Sequence, residues 1–314
     1  MICPVCGVDC CAEHFDVWWD PSKFDWQKDS WKLADHCSIR FHEWWDPNKF
    51  NWGDASAFLA VNCAEHFPYW WDSQKFNWER GSGGLAVHCG EYFYTWWDPD
   101  KFNWQQGSYG LAEGCNRYFH IWWDSEKYNW EKDSWPLAAY CNRYFEDWWD
   151  PDRFNWKAFS YALPEYCSQH FHKWWDPNKY NWQNSSWALA CYCSDYFDYW
   201  WDPNKYNWRG SSRVLAQYCS RHFDTWWNPD RFNWESASET LAQYCSDYLK
   251  TWWNPDKYNW EGASWALAYY CSDYLKTWWN PDRFNLDHCE SLEVYCSEYR
   301  HIWEKDIRLR KLLA

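Results

Sequence analysis

One spacing constrains this chain more than any other feature. Cysteine recurs every 26 residues, at Cys11, Cys37, Cys63, Cys89, Cys115, Cys141, Cys167, Cys193, Cys219, Cys245 and Cys271, with no insertion, and again at Cys296 after 25. A register this strict is the signature of a tandem array, here of about twelve copies of one unit. Each copy runs Cys, three mixed residues, Phe, two variable residues, Trp-Trp-Asp-Pro, a polar residue, Lys, Phe or Tyr, Asn-Trp, a polar loop, Ser and Leu-Ala. Copying such a unit explains 37 Trp, 24 Tyr and 18 Phe in 314 residues.

The period inside the unit is helical. Leu33, Ala34, Cys37, Phe41, Trp44 and Trp45 are separated by one, three or four residues, which makes a broad apolar stripe on an α-helix. Ser30 stands before the stripe as the predicted N-cap and recurs at Ser56, Ser82, Ser108, Ser134, Ser160, Ser186, Ser212, Ser238 and Ser264. Pro47 stops the helix after Asp46, because the residue before a proline is pushed out of the α region. The predicted helix is therefore about 15 residues, or roughly 23 Å, long. Asp46-Pro47 then opens a short helical turn over Pro47 to Trp52, followed by a loop over Gly53 to Ala55. Asn replaces the Asp at Asn228, Asn254 and Asn280, which keeps a capping acceptor and drops the charge. That favours a structural role for the Asp over an acid catalyst.

A unit of one long and one short helix cannot cover its own Trp, Phe and Leu side chains, and stacking copies side by side does. The expected fold is all-α, an α-solenoid of about twelve 26-residue repeats forming an elongated superhelix of roughly 100–120 Å. A β-solenoid is the alternative, disfavoured by the scarcity of Val, Ile, Thr and Gly and by the missing period of two. Terminal units should differ, since each exposes a flank. Residues 1–10 read as a cysteine-rich cap, 11–295 as the repeat array and 296–314 as a C-terminal capping helix. In that last segment Glu304 replaces the second Trp after Trp303, and Lys305-Asp306 replaces Asp-Pro. Nothing stops the helix, so it should continue through Ile307, Leu309 and Leu312 with Arg308, Arg310 and Lys311 facing water.

Charge narrows the partners. The 45 acidic and 30 basic residues give a formal charge of -15, with the basic residues spread one per repeat, which disfavours nucleic acid and favours a basic or neutral partner. No apolar run is long enough for a membrane span, and the first residues lack the pattern of a secretory leader. Seventeen Cys without such a leader point to a reducing, cytoplasmic setting. The expected state is a monomeric rod without membrane contact.

Packed helices lie about 8–10 Å apart while a disulfide needs Cα atoms within about 7 Å, so the repeated Cys reads as a small buried thiol. Cys3-Pro-Val-Cys6-Gly, followed by Cys10 and His14, has the residue types of a zinc site, with Cys3, Cys6, Cys10 and His14 as candidate ligands. One structural zinc is the possible cofactor; an iron–sulfur cluster and a metal-free cap are the alternatives. Leu33-Ala34 and Asp46-Pro47 resemble the pattern of leucine-rich-repeat-variant solenoids, at a different period and over a few positions per unit. That resemblance implies a long helix alternating with a short helical turn, and an N-terminal region able to carry a cysteine-bound cluster.

The candidate binding residues are a ladder of neighbouring amides and indoles: Asn51 and Trp52, Asn77 and Trp78, Asn103 and Trp104, Asn129 and Trp130, Asn155 and Trp156, Asn181 and Trp182, Asn207 and Trp208, Asn233 and Trp234. These Trp residues are expected to be partly exposed, whereas pairs such as Trp44 and Trp45 belong to the core. The ladder is similar to the Trp and Asn arrays of armadillo proteins, which implies an extended basic peptide held by its backbone. The structural alternative is that each Asn ties one unit's backbone to the next. Lys49 and its equivalents, including Arg153, Arg231 and Arg283, are placed for inter-repeat ion pairs. Any selectivity should reside in exposed positions that vary between copies: His42, Glu43, Tyr69, Tyr94, His120, Glu146, Asp147, His172, Asp198, Tyr199 and Asp224.

The expected function is a scaffold that binds a protein or an extended basic peptide along its surface. Two alternatives stand beside it: a carbohydrate or single-strand nucleic-acid binder using Trp platforms, and a structural filament subunit. Catalysis is disfavoured, because every polar position is copied many times and no triad order, phosphate loop or His-Glu-x-x-His pattern is present.

Overall fold

The computed structural model describes residues 2–10 and 12–313, so Cys11 of the 26-residue series lies outside the described residues. The chain is 68% helix, in regular repeats packed as neighbouring pairs, and the described residues form an α-solenoid without strands. The chain divides into two compact units, residues 1–155 and 156–314, each of them a stack of repeats.

Within the first unit the long helices are Trp26–His36, Trp52–Asn62, Trp78–His88, Trp104–Gly114 and Trp130–Tyr140. Each is followed by a single 3-10 turn and then a four-residue helix, such as Ser38–Arg40 and Phe41–Trp44. The second unit repeats the plan, with long helices including Trp182–Tyr192, Trp208–Tyr218, Trp234–Tyr244 and Trp260–Tyr270.

The helix boundaries correct the sequence reading. The helix predicted from Ser30 to Asp46 is broken at Cys37, and the helix that does form begins four residues earlier, at Trp26. Ser30 is therefore no cap. It lies inside the first turns, where its hydroxyl donates back to the Trp26 carbonyl. The N-cap is the Asn of Asn-Trp: Asn51 Oδ1 accepts from the Gly53 and Asp54 amides at 3.1 and 3.4 Å. Asp25 does the same for the first long helix, accepting from the Lys28 amide at 3.2 Å.

Asp46-Pro47 forms a turn and not a helix. Asp46 Oδ1 accepts from the Asn48 amide at 3.0 Å, and the Asp46 carbonyl accepts from the Phe50 amide at 3.0 Å. Where Asn228 stands instead, its Oδ1 accepts from the Asp230 amide at 3.0 Å. The position needs an acceptor and not a charge, as the Asp-to-Asn exchange had implied.

The core is built from the same positions in each copy. Leu85, Ala86, Cys89, Phe93 and Trp96 are all within 1% of full burial. From Trp44 onward the first Trp of each pair donates its indole N–H to the carbonyl of its own repeat's Cys, as Trp96 does to Cys89 at 2.8 Å. The second is half-buried and stacks on the Phe, with Trp97 and Phe93 centroids 5.2 Å apart and 19° between planes. The other face of Phe93 carries Tyr118 of the next repeat at 4.5 Å. Phe41, Phe67 and Phe119 in the first unit and Phe171, Phe197 and Phe223 in the second are sandwiched in the same way between rings of two repeats, which ties each stack together.

The thiols fill the remaining gap between helices. Cys115 Sγ lies 3.3 Å from the carbonyl of Ala86 in the preceding repeat, and burial pushes the thiol up to about 12. Equivalent contacts join Cys89 to Ala60 at 3.5 Å and Cys245 to Ala216 at 3.7 Å. A small side chain that donates one weak bond permits a close helix approach.

Two copies depart from the plan because of proline. Pro136 has no amide hydrogen for the helix ladder, and Asp133, three residues before it, adopts a non-helical φ of -123°. Pro164 has the stronger effect, splitting its long helix into Trp156–Phe159 and Ala162–Cys167. At the C-terminus the final helix runs Arg300–Leu313 as expected, with Ile307 buried. Its polarity is not the expected one, since Leu309 and Leu312 are exposed while Arg310 turns inward and donates to the Phe284 carbonyl at 2.7 Å.

Candidate functional site

The Asn ladder is bonded to its own chain at every rung. The Asn51 amide nitrogen donates to the Gln27 carbonyl at 2.5 Å, Asn77 to Gly53 at 2.5 Å, Asn103 to Glu79 at 2.8 Å and Asn129 to Gln105 at 3.0 Å. Asn155 donates to Glu131 and Asn181 to Lys157, both at 2.6 Å, and Asn207 and Asn233 continue the series to Gln183 and Arg209 at 2.6 and 2.8 Å. All these acceptors belong to the preceding repeat. The backbone amide of each Asn donates to the preceding repeat's Ser hydroxyl, as Asn129 does to Ser108 at 3.1 Å. Asn and Ser together therefore form an inter-repeat clamp.

The Trp of each Asn-Trp pair opens a helix, and six of them are more buried than expected. Trp104, Trp130, Trp156, Trp208, Trp234 and Trp260 are exposed by less than a tenth, while Trp52, Trp78 and Trp182 are half-buried. Their indole N–H groups reach back to the Asp-Pro turn, as Trp234 does to the Pro229 carbonyl at 2.8 Å. The same carbonyl accepts from Lys257 Nζ of the next repeat at 3.0 Å, and that ammonium also pairs with Asp230 at 2.6 Å. The predicted inter-repeat ion pairs recur at Arg283 with Asp256, 2.6 Å apart. Being exposed, such pairs contribute at most about 1 kcal/mol each.

Shallow clefts do open beside the ladder. One of about 550 Å³ is lined by Trp156, Lys157, Lys179, Asn181 and Asn184, and one of about 540 Å³ includes Trp208, Arg209, Arg231, Asn233 and Glu235. Their Trp residues are nearly buried, which leaves little ring area for stacking a sugar or a base. The variable residues ahead of Trp-Trp, from His42 and Glu43 to Asp224, are exposed throughout.

A second face went unread in the sequence. The long helices turn a row of aromatic side chains outward, at the residue just before the Cys and at the residue after the Ser. In the second unit the former are Tyr166, Tyr192, Tyr218, Tyr244 and Tyr270, of which Tyr192, Tyr218 and Tyr244 are 41%, 43% and 39% exposed. Trp187 lies between Tyr161, 6.4 Å away, and Tyr192, at 6.2 Å. Trp265 sits 6.1 Å from Tyr270, and Tyr269 meets Tyr295 at 4.3 Å. In the first unit Trp135 lies 5.7 Å from Tyr109 and 6.0 Å from Tyr140, whose hydroxyl donates to Glu113 at 3.3 Å. Glu165 and Glu239 are half-buried on the corresponding helices of the second unit. The signal is legible as Tyr-Cys in successive copies, at a position that lies outside the apolar stripe of Leu, Ala, Cys, Phe and Trp.

The N-terminal cysteines separate into two groups. The donor atoms of Cys3, Cys6 and His14 lie within 4.8 Å of one another, with Cys3 buried, Cys6 exposed and His14 between. Cys10 is outside that group. It is fully buried, with its Sγ 3.6 Å from Asp9 Oδ1 and burial raising its thiol to about 11. Its carbonyl accepts from Cys37 Sγ at 3.1 Å, the role that an Ala carbonyl plays in later repeats.

No described helix is long and apolar enough to cross a membrane. Comparison with protein-family models, with curated proteins and with solved structures finds no match to this chain.

Proposed function

We propose that this repeat protein is a binding scaffold that holds an extended basic peptide against the aromatic face of its long helices. The observation that carries the reading is the Tyr row of the second unit, Tyr166 to Tyr270, with Trp187 and Trp265 beside it and Glu165 and Glu239 on the same helices. Tyr192, Tyr218 and Tyr244 keep about two-fifths of their surface open, one repeat apart, in contrast to the Asn clamp, whose amides are spent on the preceding repeat. Tyr and Trp supply large contact area at low entropic cost, since each has two side-chain torsions. Their faces attract Arg and Lys by cation–π contact worth about 0.5–1 kcal/mol when exposed, and the glutamates supply charge-assisted pairing. The excess of acid over base, giving -15, steers a cationic partner to the chain.

The test is titration of the full chain with two peptides of equal length, one alternating Arg and Gly and one alternating Glu and Gly, followed by calorimetry at two salt concentrations. The basic peptide should bind, more weakly at high salt, and the acidic one should not. Replacing Tyr218 and Tyr244 together by Ala should weaken binding at least about fivefold while leaving the helical signal intact. Equal behaviour of the two peptides, or unchanged affinity in the double variant, refutes the assignment.

A further inference from the structure

The N-terminal cap presents a problem that its own packing does not solve. Residues 2–9 place Ile2, Val5 and Val8 in solvent, at 70%, 59% and 57% exposure, and their regular backbone pairing is one bridge between Ile2 and Asp9. Yet the segment is sharply folded. The Cys3 amide donates to the Val8 carbonyl at 2.9 Å, the Gly7 amide returns to the Cys3 carbonyl at 2.9 Å, and Gly7 has a φ of 72° that only glycine adopts without strain. The tight loop swings Cys6 back over Cys3. Lys32 holds the far end of the loop to the first long helix through Asp9, at 2.6 Å.

We propose that Cys3, Cys6 and His14 bind a structural zinc ion that pins this loop to the start of the repeat array. Zinc takes sulfur at about 2.3 Å and imidazole nitrogen at about 2.1 Å, which sets its donors roughly 3.5–3.8 Å apart in a tetrahedron. Donor atoms already within 4.8 Å of one another reach that spacing by side-chain rotation, with no change of fold. Cys3 and Cys6 bracket two residues in a turn completed by Gly7, and His14 comes from the residue before the helix Phe15–Trp18. The metal therefore joins the loop to the first repeat. Cys10 is assigned to the core, because its side chain is fully buried and its carbonyl engages Cys37. Binding converts each ligand thiol to a thiolate and releases one proton per thiol to solvent.

The experiment uses the full chain. Elemental analysis after purification without chelator should give one zinc per chain, and reconstitution of the stripped protein with cobalt should give sulfur-to-metal charge transfer and the visible bands of tetrahedral cobalt. Cys3→Ser, Cys6→Ser and His14→Ala should each lose the stoichiometric metal or weaken it at least tenfold, while their far-ultraviolet spectra stay unchanged because the repeats carry the helix. Cys10→Ala should retain one metal. Absence of metal binding, iron with labile sulfide in place of zinc, equal retention by the three ligand variants, or loss of metal in Cys10→Ala with helix intact would each overturn the proposal. None of these outcomes bears on peptide binding by the tyrosine face.

Discussion

Replacing Ser108 by Ala should open one joint of the stack and leave the others closed. Ser108 is fully buried; its hydroxyl donates to the Trp104 carbonyl at 2.6 Å and accepts from the Asn129 backbone amide at 3.1 Å. Asn129 itself is only 6% exposed, so water cannot take the place of the lost acceptor. The Trp104 carbonyl keeps its helical donor, and the uncompensated loss is one buried N–H. Leaving a buried donor unsatisfied costs about 1–3 kcal/mol, and a midpoint of about 2 kcal/mol corresponds to roughly a 30-fold change in the opening equilibrium. Because each repeat touches only its neighbours, the effect should stay local. Native-state hydrogen exchange is the appropriate assay: the Asn129 amide should exchange about 30-fold faster, with smaller changes in the helices Trp104–Gly114 and Trp130–Tyr140 and none in the second unit. Ser236→Ala, on an exposed side chain, serves as the control. If Asn129 exchanges within twofold of the parent protein, the serine is not the clamp described above.

Two further changes probe packing and charge. Gly114→Ala places a methyl group 2.1 Å from the Ala86 carbonyl oxygen and 2.8 Å from Val87 Cα, both backbone atoms of the neighbouring helix, and should cost about 2–3 kcal/mol in the first unit by urea denaturation. A loss below about 0.5 kcal/mol would mean that the helices Trp78–His88 and Trp104–Gly114 lie further apart than described. Asp133 has its carboxyl raised to about 6 by burial, partly offset by a hydrogen bond from the Tyr109 backbone and by the charge of Lys132. The folded protein therefore holds this proton above the unfolded value of about 3.9, and stability falls as pH rises from there through 6. Asp133→Asn should raise the denaturation midpoint at pH 7.5 and leave it nearly unchanged below pH 4; equal shifts at both values would contradict the sign.

The repeat, its helical class and the burial of its Cys, Phe and first Trp were all legible in the amino-acid sequence, because each depends on a periodicity that any regular stack must satisfy. The same holds for the tolerance of Asn228 in place of Asp, since an acceptor two residues before a turn amide acts locally. Local rules failed where two copies compete for one group. Ser56 satisfies the preference for an N-cap of the helix Trp52–Asn62, and so does Asn51; Asn51 takes the position, its amide also reaching Gln27 in the preceding repeat, while the Ser56 hydroxyl lies inside the helix and receives the Asn77 backbone amide of the next repeat. That decision moves the cap by five residues and carries the Trp of Asn-Trp from the predicted partly exposed position into the stack. Arg310 is another case, drawn from solvent to the Phe284 carbonyl, an acceptor that only the folded array brings within reach. Which aromatic rings face outward was likewise decided by tertiary structure: Tyr218 and Phe93 are similar in size, and the ring of Tyr118 from the next repeat covers Phe93 while Tyr218 stays 43% exposed.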